Sequence, residues 1–170
     1  MILIALGANL PSAAYGAPRQ TLEAALRLMP AHGVVVRRRS SWYSNPAVPA
    51  SIQPDYLNAV VDVDTELPPE VLLDRLHQIE AQLGRDRKKR WEARIVDLDL
   101  LDYQGRVRGP DAISPLTLPH PRLHQRAFTL VPVAEIAPEW RHPVSGLGVA
   151  ELIHRLEPAA VAAMRSLPEP

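Results

Sequence analysis

The chain predicts an α+β sandwich of ferredoxin-like βαββαβ order: an antiparallel sheet with flanking helices and a C-terminal helical extension. Three observations predict it. Four short runs, at residues 2–6, 34–43, 56–64 and 95–103, are apolar, alternating, or β-branched and aromatic at their ends. Two longer stretches between them carry apolar residues at helical spacing, each opened by proline. Beyond Gly109 the signal weakens, and two further helical stretches follow.

In chain order, Ile2–Leu6 is an apolar run closed by Gly7 and reads as a buried strand. Pro18 opens a helix whose stripe is Leu22, Ala25, Leu26 and Met29, and Pro30 stops it. Val34–Tyr43 reads as one strand, and residues 44–55, with Pro46, Pro49 and Pro54, as a loop. In Tyr56–Asp64, Leu57, Ala59, Val61 and Val63 share a face. Pro68 and Pro69 open a second helix with Leu72, Leu76, Ile79 and Leu83 on one side and Gly84 as its stop. Ile95–Tyr103 is the fourth strand, with Gln104-Gly105 a turn into Arg106–Val107. His120–Ile136 reads as mainly helical with an interruption near Pro132, and Val149–Leu156 as a short helix. The Ala/Pro-rich tail from about residue 158 is expected to be loosely held. No repeat or linker divides the 170 residues, so one domain is expected.

Nineteen Lys and Arg balance nineteen Asp and Glu, which argues against a generic nucleic-acid or membrane-surface binder. No apolar run nears the roughly 18 residues of a membrane span, and no basic segment precedes the apolar N-terminus as in a secretory signal. Cysteine is absent, which excludes thiolate chemistry and suits the cytoplasm.

Charge is concentrated in one place. Residues 85–94 hold six cations and two anions, including both lysines of the chain, Lys88 and Lys89, with Trp91 among them. Asp97 and Asp99 follow at i, i+2 on the fourth strand, so their side chains leave one face with Cα atoms roughly 6–7 Å apart. Two such carboxylates suit a pair of Mg²⁺ ions about 3.5–4 Å apart, shared with a polyphosphate whose oxygens arginines bind bidentately. The loop would fold over that polyphosphate and exclude water, and Trp91 would stack on a planar ligand. Asp62-Val63-Asp64 repeats the spacing without cationic neighbours in sequence and reads as surface.

Other chemistries lack candidates. There is no G-x-x-x-x-G-K-[ST], H-E-x-x-H or G-x-S-x-G, and His120 and His124, at i, i+4, have no evident third partner for zinc. Two nonenzymatic readings compete with catalysis. One is a nucleotide-binding regulatory domain on the same scaffold; the other is single-stranded RNA binding through the 85–94 loop and Arg37–Arg39.

The segments ALGANL, SNPAV, QPDYLNAV, IEAQLGR, RWEARIVDLDLL, LPHPRLHQRAF and EIAPEW together resemble the 6-hydroxymethyl-7,8-dihydropterin pyrophosphokinases of folate biosynthesis over nearly the whole chain. The resemblance implies an ATP-dependent pyrophosphokinase. Such an enzyme moves the pyrophosphoryl group of MgATP to the hydroxymethyl oxygen of the pterin and releases AMP, acting as a cytoplasmic monomer without nucleic acid or membrane. It implies that Asp97 and Asp99 bind two Mg²⁺ ions and act with Arg85 and Arg94 in catalysis. Arg85, Arg94 and His120 would contact the phosphates, with Leu100 and Thr117 around adenine. Asn45, Val48, Tyr56, Asn58, Trp91 and Phe128 would surround the pterin. The chain departs from the pattern at Ala8, where Ser is common, at Glu92-Ala93 in place of Gly-Pro, at Pro121, which is Tyr in some members, and by a residue between Arg85 and Trp91.

Overall fold

A computed structural model of the chain describes residues 1–47, 53–85, 94–111 and 114–168. Its elements are β1 (Ile2–Ala8), α1 (Pro18–Leu28), β2 (Val35–Arg39), β3 (Trp42–Asn45), β4 (Tyr56–Asp64), α2 (Pro69–Gln82), β5 (Asp97–Tyr103), α3 (Ala127–Ile136), α4 (Val149–His154), α5 (Pro158–Ala162) and β6 (Arg165–Leu167). The sheet runs β5-β1-β4-β3-β6, with β2 also paired to β4, and every pairing is antiparallel. The predicted order is therefore present, with the second strand in two pieces.

Alternation along the strands gives the sheet two different faces. Ile2, Ile4, Leu6 and Ala8 of β1, Leu57, Ala59, Val61 and Val63 of β4, and Leu98 and Leu100 of β5 pack in one cluster with Leu22 and Ala25 of α1 and Leu72, Leu76 and Ile79 of α2. The other face contributes Leu3, Val60 and Leu101 to a smaller cluster with Leu130, Val133 and Ile136 of α3 and Val149 and Leu152 of α4. A shift in the β1–β5 register between Leu3 and Ile4 pairs Asp102 with Leu3, and Asp102 Oδ2 accepts a 2.7 Å hydrogen bond from Trp140 Nε1. The C-terminal layer thus covers only part of its face. The part beyond that cluster, where β1 ends and β4 and β5 begin, carries Asp97, Asp99 and Asn58.

The signals that open α1 and close α2 hold. Pro18 begins α1, and Gln20 Oε1 accepts the Ala17 N–H at 2.8 Å. Gly84, beyond α2, has φ +91°, a conformation that side chains disfavour.

Three expectations need correction. Val34–Tyr43 is two strands, because Ser40 turns inward: its N–H donates to Val60 O at 2.9 Å and its Oγ accepts from Val60 N at 3.0 Å. The chain leaves β2 there and returns to β4 as β3, which runs on to Asn45. Gln104 and Gly105 make the predicted turn into Arg106–Val107, with φ 54° and 68°, and pairing resumes as a bridge between Arg108 and Leu118. Helix begins at Ala127, seven residues later than His120, and Pro132 sits buried inside it without ending it. Asp62 is not surface. It is 8% exposed and accepts from Ile2 N at 3.3 Å and Arg38 Nη2 at 3.0 Å.

In the tail, α5 buries none of its residues, while β6 pairs with β3 through Trp42–Leu167, Tyr43–Ser166 and Ser44–Arg165.

Candidate active site

One cross-strand row organises the site. Asp97 of β5 lies opposite Gly7 of β1, Gly7 opposite Asn58 of β4, and Asn58 opposite Tyr43 of β3. Asp99 is two residues along, opposite Ala5. Their alternation places all of these on the partly uncovered face. Gly7 is small for a reason: a Cβ there would stand 3.0 Å from Asn58 Oδ1.

Asp97 is gripped from two sides. Its Oδ1 accepts from Arg85 Nη1 at 2.6 Å, and its Oδ2 pairs with Arg94. Arg85 is also held by Glu80, whose side chain is 1% exposed and whose Oε1 accepts the Leu98 N–H at 2.7 Å. Glu80 therefore ties α2 to β5 and aims Arg85 at the carboxylate. Two anions around one half-buried guanidinium keep each charge compensated.

Asp99 faces a second cationic group. The His120 imidazole is held below its usual 6.5, chiefly by burial, with Arg126 and Arg122 adding to the fall and Asp99 opposing it. Arg126 is likewise lowered by burial, against Asp99, with Arg122 and Arg94 pressing in the same direction as burial. Its guanidinium carbon lies 5.3 Å from the Phe128 ring centroid, a cation–π contact. Two carboxylates among several cations on one strand face suit an anionic ligand that can displace the carboxylates from the arginines.

The polar face continues on β4 and β3. Asn58 Nδ2 donates to Asn45 Oδ1 at 2.6 Å, Asn45 Nδ2 donates to Pro46 O at 2.8 Å, and Tyr56 is the cross-strand partner of Asn45. Both asparagines are buried. Two fixed amides beside an aromatic ring suit a flat heterocycle with amide-like edges.

The structure thus brings Arg85, Arg94 and Asp97 into contact and sets Asp99 beside His120. Asn45, Tyr56 and Asn58 lie along the same sheet face, and Phe128 stands against Arg126. It does not bring Leu100 to them: that side chain is 3% exposed and packs in the cluster on the opposite face. Thr117 is half-buried next to the Arg108–Leu118 bridge. Val48 and Trp91 lie outside the described residues, as do Lys88, Lys89, Glu92 and Ala93. His120 and His124 are not partners on a helix, and the His124 ring lies 5.2 Å from that of His142 between centroids.

Three residues escaped the sequence reading. Glu80 is four residues from Leu76, so it puts a carboxylate on the buried stripe of α2, a legible signal. Arg126 is the N-cap of α3, where a cation opposes the helix dipole, and that mismatch was legible too. Asn9, 2% exposed, accepts from Arg94 N at 2.6 Å through long-range geometry that no local pattern announces.

The model of the family described as 7,8-dihydro-6-hydroxymethylpterin-pyrophosphokinase matches residues 3–138. The chain is 43% identical over 129 residues to the 2-amino-4-hydroxy-6-hydroxymethyldihydropteridine pyrophosphokinase of Synechocystis, covering 76% of this chain and 64% of that protein. It is 40% identical over 154 residues to the protein of the same name from Haemophilus influenzae, covering 88% and 89%. The crystal structure of wild-type Plasmodium falciparum HPPK-DHPS shares the fold, with a TM-score of 0.67 at 14% identity, over 91% of this chain and 44% of that one. The chain therefore spans just under two thirds of the Synechocystis relative and less than half of the Plasmodium chain. The family match takes in every strand that bears a site residue, and with relatives at this identity along most of its length the chain belongs to the 7,8-dihydro-6-hydroxymethylpterin-pyrophosphokinase family.

Proposed function

We propose that the protein transfers the pyrophosphoryl group of ATP to the hydroxymethyl oxygen of 6-hydroxymethyl-7,8-dihydropterin, releasing AMP, with the Asp97–Asp99 face as the reaction site. The observation that carries this reading is the shared row. The carboxylates and arginines at β5 and the paired amides at β3 and β4 flank Gly7, so a polyphosphate and a flat heterocycle would meet over β1.

The donor set fits Mg²⁺. Among the described residues no three His, Cys, Asp or Glu side chains cluster as a metal cage. Two carboxylates on one strand are what such an ion takes from a protein when phosphate and water supply the rest. When bound, Mg²⁺ would neutralise phosphate charge and make the attacking hydroxyl more acidic.

The chain's own residues do the positioning. Arg85 and Arg94 exchange Asp97 for phosphate oxygens, which frees the carboxylate as a ligand. Arg126 and His120 meet the phosphates from the Asp99 side, and Asn45, Asn58 and Tyr56 orient the pterin, with Phe128 packing beside it. The hydroxymethyl oxygen then bonds to the β-phosphorus and gives up its proton to solvent water, the bond from that phosphorus to the α–β bridging oxygen breaks, and AMP leaves with the electron pair. Such a transfer needs alignment and charge stabilisation without a covalent nucleophile.

The same reading takes the 170 residues as one domain acting as a cytoplasmic monomer on small molecules, without nucleic acid or membrane. Zero net charge supports it, as do the two apolar clusters on a single sheet and the absence, among the described residues, of a helix long and apolar enough to cross a membrane. Size-exclusion chromatography with light scattering tests the monomer. For the reaction, incubation with MgATP and the hydroxymethyl dihydropterin should yield equal amounts of AMP and pterin diphosphate. ADP as the product, or turnover independent of the pterin, would overturn the proposal.

A further inference from the structure

Asn9 follows β1 and is 2% exposed, and its side-chain amide and backbone N–H join two distant parts of the site. Its Oδ1 accepts from Arg94 N at 2.6 Å, and its own N–H and that of Leu10 donate to Arg94 O at 2.9 and 3.2 Å. Its Nδ2 donates to Gln53 Oε1 at 3.2 Å and to Pro54 O at 3.3 Å. The first set fixes the backbone of the arginine that pairs with Asp97. The second fixes the residues that lead directly into Tyr56 and Asn58.

We infer that Asn9 is a positioning residue that locks Arg94 on the phosphate side to the start of β4 on the pterin side. This rests on the proposed phosphate role of Arg94 and goes beyond it. An amide is required here because the two ends need opposite chemistry: Arg94 N needs an acceptor, and Gln53 Oε1 and Pro54 O need donors. One acceptor and two N–H donors on a single uncharged group are supplied only by Asn or Gln, and Gln would push the amide outward by a methylene. Serine supplies a single short hydroxyl, and aspartate supplies acceptors alone. Because the amide is buried, loss of either function leaves a backbone group without a partner, which favours one geometry of the pair.

Four variants separate this from a merely structural role: Asn9→Ala, Asn9→Asp, Arg94→Ala and the double variant Asn9→Ala/Arg94→Ala. Steady-state rates should be measured with each substrate varied in turn. Asn9→Ala should lower kcat about 10- to 100-fold and raise the KM for the pterin. Asn9→Asp keeps the acceptor for Arg94 N and loses the donors to residues 53 and 54. It should therefore retain most of kcat while its pterin KM rises about as much as in Asn9→Ala. In the Arg94→Ala background, Asn9→Ala should lower kcat by less than about 3-fold more, because the group it aims is gone.

Full additivity of the two kcat losses overturns the inference, as does wild-type kinetics in Asn9→Ala beside an impaired Arg94→Ala. Wild-type kinetics in Arg94→Ala would instead refute the phosphate role of Arg94 beneath it. If Asn9→Ala gives no cooperative melt, Asn9→Asp carries the test, and equal losses of kcat in Asn9→Asp and Arg94→Ala would then overturn it.

Discussion

Arg85 Nη1 stands 2.6 Å from Asp97 Oδ1 while the same guanidinium is held by Glu80, a carboxylate buried to 1% exposure. The free site is thus occupied by its own charges, and the helix carrying Glu80 decides where Arg85 can reach. Removing Glu80 takes one carboxylate from Arg85 and the acceptor from the Leu98 N–H. Glu80→Ala should lower unfolding free energy by about 3 kcal/mol, read from urea denaturation. Glu80→Gln, which keeps an acceptor for Leu98, should lose less. Equal stability of Glu80→Ala and wild type would show that the contact carries no weight.

Asp97 and Asp62 share chemistry and differ in use. Asp97→Ala should depress pyrophosphoryl transfer by at least about 100-fold and leave a cooperative thermal transition. Asp62→Ala should do the reverse: activity within a few-fold of wild type, and stability lower by about 1–3 kcal/mol because the Ile2 N–H and Arg38 lose their acceptor. Comparable activity losses in the two would place the damage in the strand order.

At Gly7 an added methyl group would press on Asn58 Oδ1, at 3.0 Å from the new Cβ. Gly7→Ala should raise the KM for the pterin several-fold with the KM for ATP nearly unchanged, since the clash is on the β4 side of the strand. A larger change for ATP would reassign the amide pair.

His120 and His142 should both titrate below 6.5, the first lowered by burial and by Arg126 and Arg122, the second by burial and by His124. A pKa lowered on folding means that the unfolded chain binds more protons between the two values. The stability this contributes is complete above 6.5 and is lost as pH falls through that value toward the folded pKa. Histidine proton resonances followed by NMR from pH 8 to 5 check the order of titration. A triphosphate beside His120 should raise its pKa and leave that of His142 in place; a shift of both would point to a general change in structure.

Much of this was legible because it is written in short-range pattern. The prolines before α1 and α2, the alternation in β4 and the i, i+2 spacing of Asp97 and Asp99 are local signals, and the structure repeats them. Ser40 shows what local pattern misses. Its neighbours are strand formers, yet its hydroxyl and amide both turn to Val60, and this cross-strand bonding splits the strand. Asp62 shows the same limit. Its sequence neighbours resemble those of a surface aspartate, and its burial comes from Ile2 and Arg38, which are far along the chain. Leu100 was placed near a ligand by resemblance, while alternation alone assigns its side chain to the opposite face.

The pairing of Asp97, Gly7 and Asn58 on three adjacent strands has a consequence for reach. Neighbouring strands lie about 4.8 Å apart, so the carboxylate and the amide stand roughly 10 Å apart across β1. Backbone hydrogen bonds, and no side chain, set that separation. The sheet therefore works as a ruler with fixed graduations. Substitutions around it can change how tightly either molecule is held, but a donor and acceptor that must react at a longer span would require a different register.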